Sequence, residues 1–279
     1  MPACHHDLYY EFSGTAYEVG LQHGQALAAE ICAEYQPALA SCAARRGGEG
    51  QLATLAAFAA EFLPIVDELL GPGAKAEVAG AAEGAGISFE AAFFAAYRDG
   101  WVGGATAGEG CTAFACCADV TSTGGVVLGQ TKDTGAPLER YRVVRLNYTD
   151  SNTQHILCTY PGWAASWGLL SGGNLGWVGN SVYGLPPPAS MQVLPTSILK
   201  RLAMQSTSVA DLIATASSLR FADGAFTIGD KAGAAWLLES VAGQSEWTEI
   251  SGGTATHANA CGVFGCQGLH RELHACPRC

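Results

Sequence analysis

Charge is scarce in this chain. Of 279 residues only 14% are Asp, Glu, Lys or Arg, against roughly 25% in an ordinary domain. Positive charge is scarcer still: 14 Lys and Arg against 25 Asp and Glu leave a net charge of −11. Nucleic-acid binding needs a basic footprint to neutralise phosphates, and no basic run exceeds Arg45-Arg46, so no nucleic-acid partner is expected. No apolar stretch reaches the roughly 18 residues that a membrane span requires, so no membrane partner is expected either. The start, Met1-Pro2-Ala3-Cys4-His5-His6-Asp7, lacks a basic segment followed by an apolar one and does not read as a secretory signal. A cytoplasmic, reducing location is expected. There the 11 cysteines act as thiols, ligands or a nucleophile rather than as a disulfide framework. P-loop and dinucleotide fingerprints are missing. A Gly-x-Ser-x-Gly elbow is missing too, because Gly179-Asn180-Ser181-Val182-Tyr183-Gly184 has one residue too many. No cofactor is expected.

Small and apolar residues are what the chain has in quantity: 49% hydrophobic, with 36 Gly. That composition excludes a disordered chain. The length allows one large domain or two small ones and suffices for a core without disulfide staples.

Composition changes near residue 110. Before it the chain is Ala-rich and reads as helices after a short strand at Leu8–Phe12. Thr15–Ala44 is one helical stretch. In Gln51–Leu70 the residues Leu52, Leu55, Phe58, Phe62, Val66 and Leu69 fall at three- and four-residue steps. Gly71-Pro72-Gly73 stops that helix, and Ser88 caps another through Tyr97. After residue 110 short strands dominate: Thr112–Cys116, Val126–Gln130, Tyr141–Tyr148, His155–Tyr160, Gly176–Val182, Ala225–Gly229, Ala234–Glu239 and Glu246–Ile250. Helices at Thr196–Met204 and Val209–Leu219 lie among them, the second opened by Ser208 and Asp211 in capping-box spacing. Strands with helices inserted between them predict an α+β fold with stacked sheets.

The sharpest local feature is Glu109-Gly110-Cys111-Thr112, where a flexible Gly-rich segment meets the first strand of the β-rich half. Gly110 lacks a Cβ, so it tolerates unusual backbone angles and close approach to its carbonyl. Attack there by the Cys111 thiol would convert the peptide to a thioester, which hydrolyses and leaves Cys111 as a new N-terminus. A free α-amine with a pKa of about 7.7–8.0 can then serve as general base to its own thiol. The alternative is that Cys111 is a small buried hydrophobe at a strand start.

Gly110-Cys111-Thr112 followed by Gly129-Gln130-x-x-Asp133 resembles the peptidase C45 family, the acyl-coenzyme A:6-aminopenicillanic acid acyltransferase-like group of N-terminal-nucleophile (Ntn) hydrolases. Tyr17-Glu18-x-Gly20-x-x-His23-Gly24, Gly179-Asn180-Ser181, Ile228-Gly229-Asp230-Lys231-Ala232-Gly233 with Glu239, and Thr256-His257-Ala258-Asn259 resemble further motifs of the family, in family order. The resemblance implies an αββα four-layer sandwich. Residues 1–110 would be a helix-rich propeptide that becomes the small chain, residues 111–260 the catalytic chain, and 261–279 an atypical Cys-rich tail. Gly110 and Cys111 would be the processing site and Cys111 the acyl-accepting nucleophile. Asn180 would be an oxyanion donor, or else a strand-edge Asn satisfied by backbone. Asp133 would sit near the substrate amine, or else be a turn residue. His257 and Asn259 would organise the site. The implied partners are a small-molecule amide or acyl donor, acyl-coenzyme A among the candidates, and the two processed chains as a heterodimer.

Three departures stand out. Ala225 occupies a position where the family usually carries an Asn, whose loss would cost roughly 10²–10³ in rate by analogy with other oxyanion holes. Ser171-Gly172-Gly173-Asn174-Leu175-Gly176 is shortened relative to the family's turn. The pattern also ends after Asn259-Ala260, so the sandwich is expected to be incomplete at its C-terminal side. These departures keep open a non-catalytic family member that binds a ligand or partner. The tail, with Cys261, Cys266, His270, His274, Cys276 and Cys279, keeps open a zinc-stabilised interaction module.

Overall fold

The computed structural model describes residues 8–45, 48, 50–99, 101, 110–133, 140–164, 168–172, 174–182 and 193–259. The fold is α+β. Five helices precede residue 110: α1 (Ala16–Ala26), α2 (Ala28–Arg45), α3 (Gln51–Leu70), α4 (Pro72–Ala85) and α5 (Phe89–Tyr97). Strand β1 (Tyr9–Gly14) comes before them. After residue 110 come β2 (Gly110–Cys116), β3 (Val127–Asp133), β4 (Arg142–Tyr148), β5 (Thr153–Thr159), β6 (Gly168–Ser171) and β7 (Leu175–Asn180). Helices α6 (Thr196–Gln205) and α7 (Val209–Ala216) follow, then β8 (Gly224–Asp230), β9 (Ala235–Val241), β10 (Gln244–Glu249) and β11 (Thr254–His257).

The strands form an eight-stranded sheet in the order β1-β4-β5-β6-β7-β8-β9-β10 and a three-stranded sheet in the order β11-β2-β3. The small sheet packs on β7 and β8 of the large one, while α1, α6 and α7 pack against the large sheet and α2–α5 pack among the helices. The described residues thus build three of the four expected layers. Among them no helix packs on the outer face of the small sheet, where Phe114 and Val127 stand 40% and 45% exposed.

The N-terminal stretch is part of the sandwich core. β1 is an edge strand of the large sheet, parallel to β4, and one buried cluster runs from Phe12 and Phe58 through Trp177 and Leu238. Buried ion pairs cross from one stretch to the other. Glu77 accepts hydrogen bonds from Arg201 Nη2 at 2.6 Å and from the Tyr148 hydroxyl at 2.9 Å, and Asp99 pairs with Lys200.

Two sequence expectations change here. Thr15–Ala44 is two helices. Thr15 caps α1, exchanging hydrogen bonds with Glu18, and the chain breaks at Leu27, whose side chain is fully buried. Gly71-Pro72-Gly73 ends one helix and also begins another: Gly71 (φ 72°) closes α3 and precedes α4, with Pro72 in the first turn, where its missing N–H costs nothing. Helix α4 is rich in Ala and Gly because it lies directly on α1. A Cβ on Gly20 would sit 1.9 Å from the Glu77 carbonyl oxygen, one on Gly24 2.4 Å from that of Ala81, one on Gly80 2.0 Å from that of Tyr17, and one on Gly84 2.3 Å from that of Leu21. The Gly20-x-x-His23-Gly24 motif is therefore a helix-crossing device. Its His23 is buried, stacks on Phe12 (5.4 Å, 17°) and accepts from the Gly162 N–H at 3.2 Å.

Candidate active site around Cys111

Strand β2 alternates strictly. Cys111, Ala113 and Ala115 are 4%, 0% and 0% exposed and face the large sheet, while Thr112 and Phe114 face outward. Alanines at these positions let the two sheets approach closely, and the polar groups trapped between them must then find partners.

Several polar ties between the sheets converge near Cys111. From β7, Asn180 Nδ2 donates to the Cys111 carbonyl at 3.2 Å and to the His257 carbonyl at 2.9 Å. From beyond β11, Asn259 Oδ1 accepts from the Cys111 backbone N–H at 2.5 Å, and its Nδ2 donates to the Ser181 carbonyl at 2.6 Å. Gln130 Nε2 donates to the Gly179 carbonyl. The His257 Nε2 edge meets Glu239 Oε1 at 2.7 Å, with Glu239 fully buried. Both backbone polar groups of Cys111 are thus held by side-chain amides from outside its own strand pair.

Register explains which groups face the thiol. β2 and β3 pair with Gly110 opposite Asp133 and Cys111 opposite Lys132. Paired residues project to the same face, so Asp133 shares a face with Gly110 and Lys132 with Cys111. A Cβ on Gly110 would lie 3.0 Å from Asp133 Oδ2 and 3.7 Å from Asn259 Oδ1. A glycine before Cys111 leaves the Asp133 carboxylate its place, because any Cβ there would crowd Oδ2. In the large sheet Asn180, Ala225 and Glu239 lie in one cross-strand row. Ala225 therefore leaves an apolar gap between two polar residues, packed with Val182 and Val241.

The structure brings together Gly110, Cys111, Asp133, Asn180, His257 and Asn259. It gives Asn259, expected only as an organising residue, direct contact with the Cys111 nitrogen. Sequence reasoning missed Gln130 and Lys132 as neighbours of the thiol's face; the two-residue period of β3 was the signal that could have found them. Asp230 of the Ile228–Gly233 segment is structural. Its Oδ1 accepts from the Ala232 and Ala234 N–H groups at 3.0 and 3.1 Å, and its Oδ2 from the Val209 N–H at 3.1 Å, which caps α7. The Cys-rich tail from Cys261 to Cys279 lies outside the described residues. Among the described residues no helix is long and apolar enough to cross a membrane.

No family model and no curated protein matches the sequence. Among solved structures the chain is similar to a conjugated bile acid hydrolase from Clostridium perfringens, with 9% identity over 61% of this chain and 51% of that one and a TM-score of 0.31. It is also similar to a Caenorhabditis elegans N-acylethanolamine-hydrolyzing acid amidase ortholog (10%, 55% and 70%, 0.33) and to penicillin V acylase from Agrobacterium tumefaciens (9%, 51% and 41%, 0.29). The chain spans about half the length of the bile acid hydrolase. Overlaps of this size speak to neither site nor substrate.

Proposed function

We propose that this chain is a self-processing Ntn amidohydrolase, related to the peptidase C45 group, that cleaves or transfers an acyl group at a linear amide bond through a thioester on Cys111. The observation that carries the proposal is the double hold on Cys111: Asn259 on its nitrogen and Asn180 on its carbonyl, beside a glycine that no larger residue could replace without displacing Asp133.

In the first step the Cys111 sulfur bonds to the Gly110 carbonyl carbon. The C–N bond breaks, and the departing nitrogen takes up the proton the thiol gives. Water then hydrolyses the thioester, leaving the Gly110 carboxylate and the free thiol and α-amine of Cys111. In turnover the same sulfur attacks a substrate amide while the α-amine accepts the thiol proton and passes it to the leaving amine. Water as acceptor gives an amidase and a second amine gives an acyltransferase; acyl-coenzyme A serves as donor in the latter case. Asn259 holds the nitrogen that becomes the amine and Asp133 orients it from the Gly110 side, while Asn180 gives both N–H groups to the Cys111 and His257 carbonyls, so its use as oxyanion donor requires it to surrender one of them. The small chain stays bound through β1 and the Glu77–Arg201 and Asp99–Lys200 pairs, so the mature protein is a heterodimer acting on a small molecule in the cytoplasm.

Intact-mass spectrometry tests this directly. Dividing the 28.8 kDa chain in proportion to 110 of its 279 residues gives fragments of about 11 and about 17 kDa. A chain that stays whole, with Cys111 unreactive to thiol electrophiles, would falsify the proposal.

The Ala225 gap favours a second reading, a ligand-binding member with weak or no turnover. An Asn in that row would restore a donor between Asn180 and Glu239. On the catalytic reading Ala225→Asn raises kcat on a simple N-acyl amide by about tenfold or more, at a packing cost of about 1–3 kcal/mol visible as a lower Tm. On the binding reading it creates no turnover at all.

A further inference from the structure

Two open faces of the molecule meet at one edge. The small sheet packs on β7 and β8 of the large one. Strands β6, β5, β4 and β1 continue past β3, the end strand of the small sheet among the described residues, as a four-strand shelf. On the small-sheet side this shelf presents Leu170, Ile156, Val143 and Tyr9, each between 39% and 50% exposed. The second face is the outer surface of the small sheet, with Phe114 and Val127. Among the described residues eight large hydrophobic side chains are exposed, and six of them lie on these two faces. Contiguous apolar surface of this kind marks an interaction site.

The two faces fit each other in shape. Packed sheets stand about 10 Å apart and neighbouring strands about 4.8 Å apart, so the step from the small sheet down to the shelf is one sheet deep. A second copy, turned about a two-fold axis along the free edge of β3, lowers its small sheet into that step. Its own shelf then covers the outer face of the first copy's small sheet. Pairing in the plane of the small sheet, β3 to antiparallel β3, does not fit, because the second copy's large sheet would occupy the place of the shelf.

Register agrees. A Cβ on Gly176 of β7 would lie 3.6 Å from Leu128 Cδ1 of β3. Gly176 pairs with Leu170, and Leu170 with Ile156. Leu128 adjoins Val127 and pairs with Ala115, which adjoins Phe114. Leu170 and Ile156 therefore stand within about one residue of the level of Phe114 and Val127 along the strands. An axis parallel to the strands preserves that level. Counting strands from the edge puts β6 of one copy over β3 of the other and β5 over β2, so Leu170 meets Val127 and Ile156 meets Phe114.

Polarity agrees as well. In the row of Ile156 the outboard residues are Arg145 and Glu11, which pair with each other at 3.9 Å and form a polar rim to an apolar centre. On the small sheet the pairs flanking Phe114 are Thr112–Thr131 and Cys116–Val127, all uncharged. Three strands about 20 Å long cover about 300 Å². Two such contacts, both partners counted, bury about 1,200 Å², within the range of specific stable interfaces.

We propose that the chain forms an isologous homodimer in which the β6-β5-β4-β1 shelf of each copy seats on the outer face of the other's small sheet. The proposal is independent of the chemistry at Cys111.

Sedimentation equilibrium of the full-length protein at about 50 μM should give twice the 28.8 kDa of one copy. Ile156→Lys on the shelf and Phe114→Glu on the small sheet should each weaken the dimer by about a hundredfold or more, because each buries an unpaired charge at two symmetric contacts. Leu170→Lys and Val127→Glu are second variants of the same two faces, and thermal scans establish which variants are folded. Leu52→Lys on α3, at a residue exposed on neither face, should leave the dimer intact. Mixing Ile156→Lys protein with Phe114→Glu protein should restore a dimer, since one contact then holds a Lys–Glu pair and the other two unchanged faces. A monomeric parent chain overturns the proposal. So does a dimer that survives the substitutions on either face, and so do two folded, monomeric variants that fail to associate on mixing.

Discussion

The side-chain oxygen of Asn259 accepts a hydrogen bond from the backbone nitrogen of Cys111 at 2.5 Å, across 148 residues of chain. In the proposed self-processing that nitrogen would pass from amide to leaving amine to general base. The acceptor is neutral and is itself fixed by the bond of its Nδ2 to the Ser181 carbonyl. Asn259→Leu should slow cleavage at Gly110 by about tenfold or more, the worth of a buried hydrogen bond with one partner left unsatisfied. Asn259→Asp keeps the acceptor for the Cys111 N–H but sets an acceptor oxygen against the Ser181 carbonyl, so it should cleave faster than Asn259→Leu and slower than the parent chain. Time-resolved mass spectrometry of freshly expressed protein measures both, and equal rates for the two variants would remove Asn259 from the process.

Gly110 faces Asp133 so closely that the pair behaves as a unit. Gly110→Ala puts a methyl 3.0 Å from Asp133 Oδ2, a contact tighter than van der Waals packing tolerates. Processing of Gly110→Ala should be several-fold slower. The double variant Gly110→Ala with Asp133→Ala should recover part of the loss if the defect is steric. If the double variant is slower still, Asp133 contributes to the chemistry beyond its bulk, and the cycle of four proteins reads out that coupling.

The crossing of α1 and α4 gives a stability prediction with its own control. Gly80→Ala would place a Cβ 2.0 Å from the Tyr17 carbonyl oxygen, so the helices must separate, at a cost of about 3 kcal/mol or more. In the same helix Gly73→Ala meets nothing nearer than the Ala16 Cβ at 3.9 Å. It should be neutral or stabilising by up to about 1 kcal/mol, the helix propensity of Ala over Gly. Urea unfolding at constant m-value checks the pair.

Two buried histidines make stability fall in mild acid. Burial draws His23 down to about 4, and burial with help from the Arg201 charge draws His155 down to about 4. Between pH 6.5 and pH 4 the unfolded chain binds protons that the native chain refuses. Stability is therefore full above about pH 6.5 and declines toward pH 4, by about 1.4 kcal/mol per pH unit for each histidine. His23→Gln should remove about half of that slope between pH 6 and pH 4.5, because Gln can still accept from the Gly162 N–H but does not titrate. An unchanged slope in thermal scans across that range would show that His23 is not the titrating group.

Much of this organisation was readable in the chain. The strand candidates fell within a residue or two of the bounds of β2, β4, β5 and β7–β10. In β2, β4 and β5 one buried face writes its period directly, whereas β8 is a short run buried throughout. Cys111 was legible because a glycine before a cysteine at a strand start is unusual, and Gly20, His23 and Gly24 were legible as a motif, although their work proved to be helix contact. Three elements were not found. Helix α4 is mostly Ala and Gly, so it has no apolar stripe to show a period. Strands β6 and β11 have four residues each, too few for alternation to register.

What the sequence determined by itself was local: the strand periods, the caps at Ser88 and Ser208, the small residue before Cys111, and the low charge that disfavours nucleic acid. Tertiary structure alone decided the company that Cys111 keeps. Asn180, Lys132, Glu239, His257 and Asn259 reach it or its neighbours from four other strands or strand ends, and their order along the chain says nothing about distance. The pairing register decides that, because a shift of one residue would turn every side chain of β2 to the other face and replace Cys111 with Thr112 between the sheets. Burial of Ala113 and Ala115 against β7 and β8 locks the register, and the site follows from it.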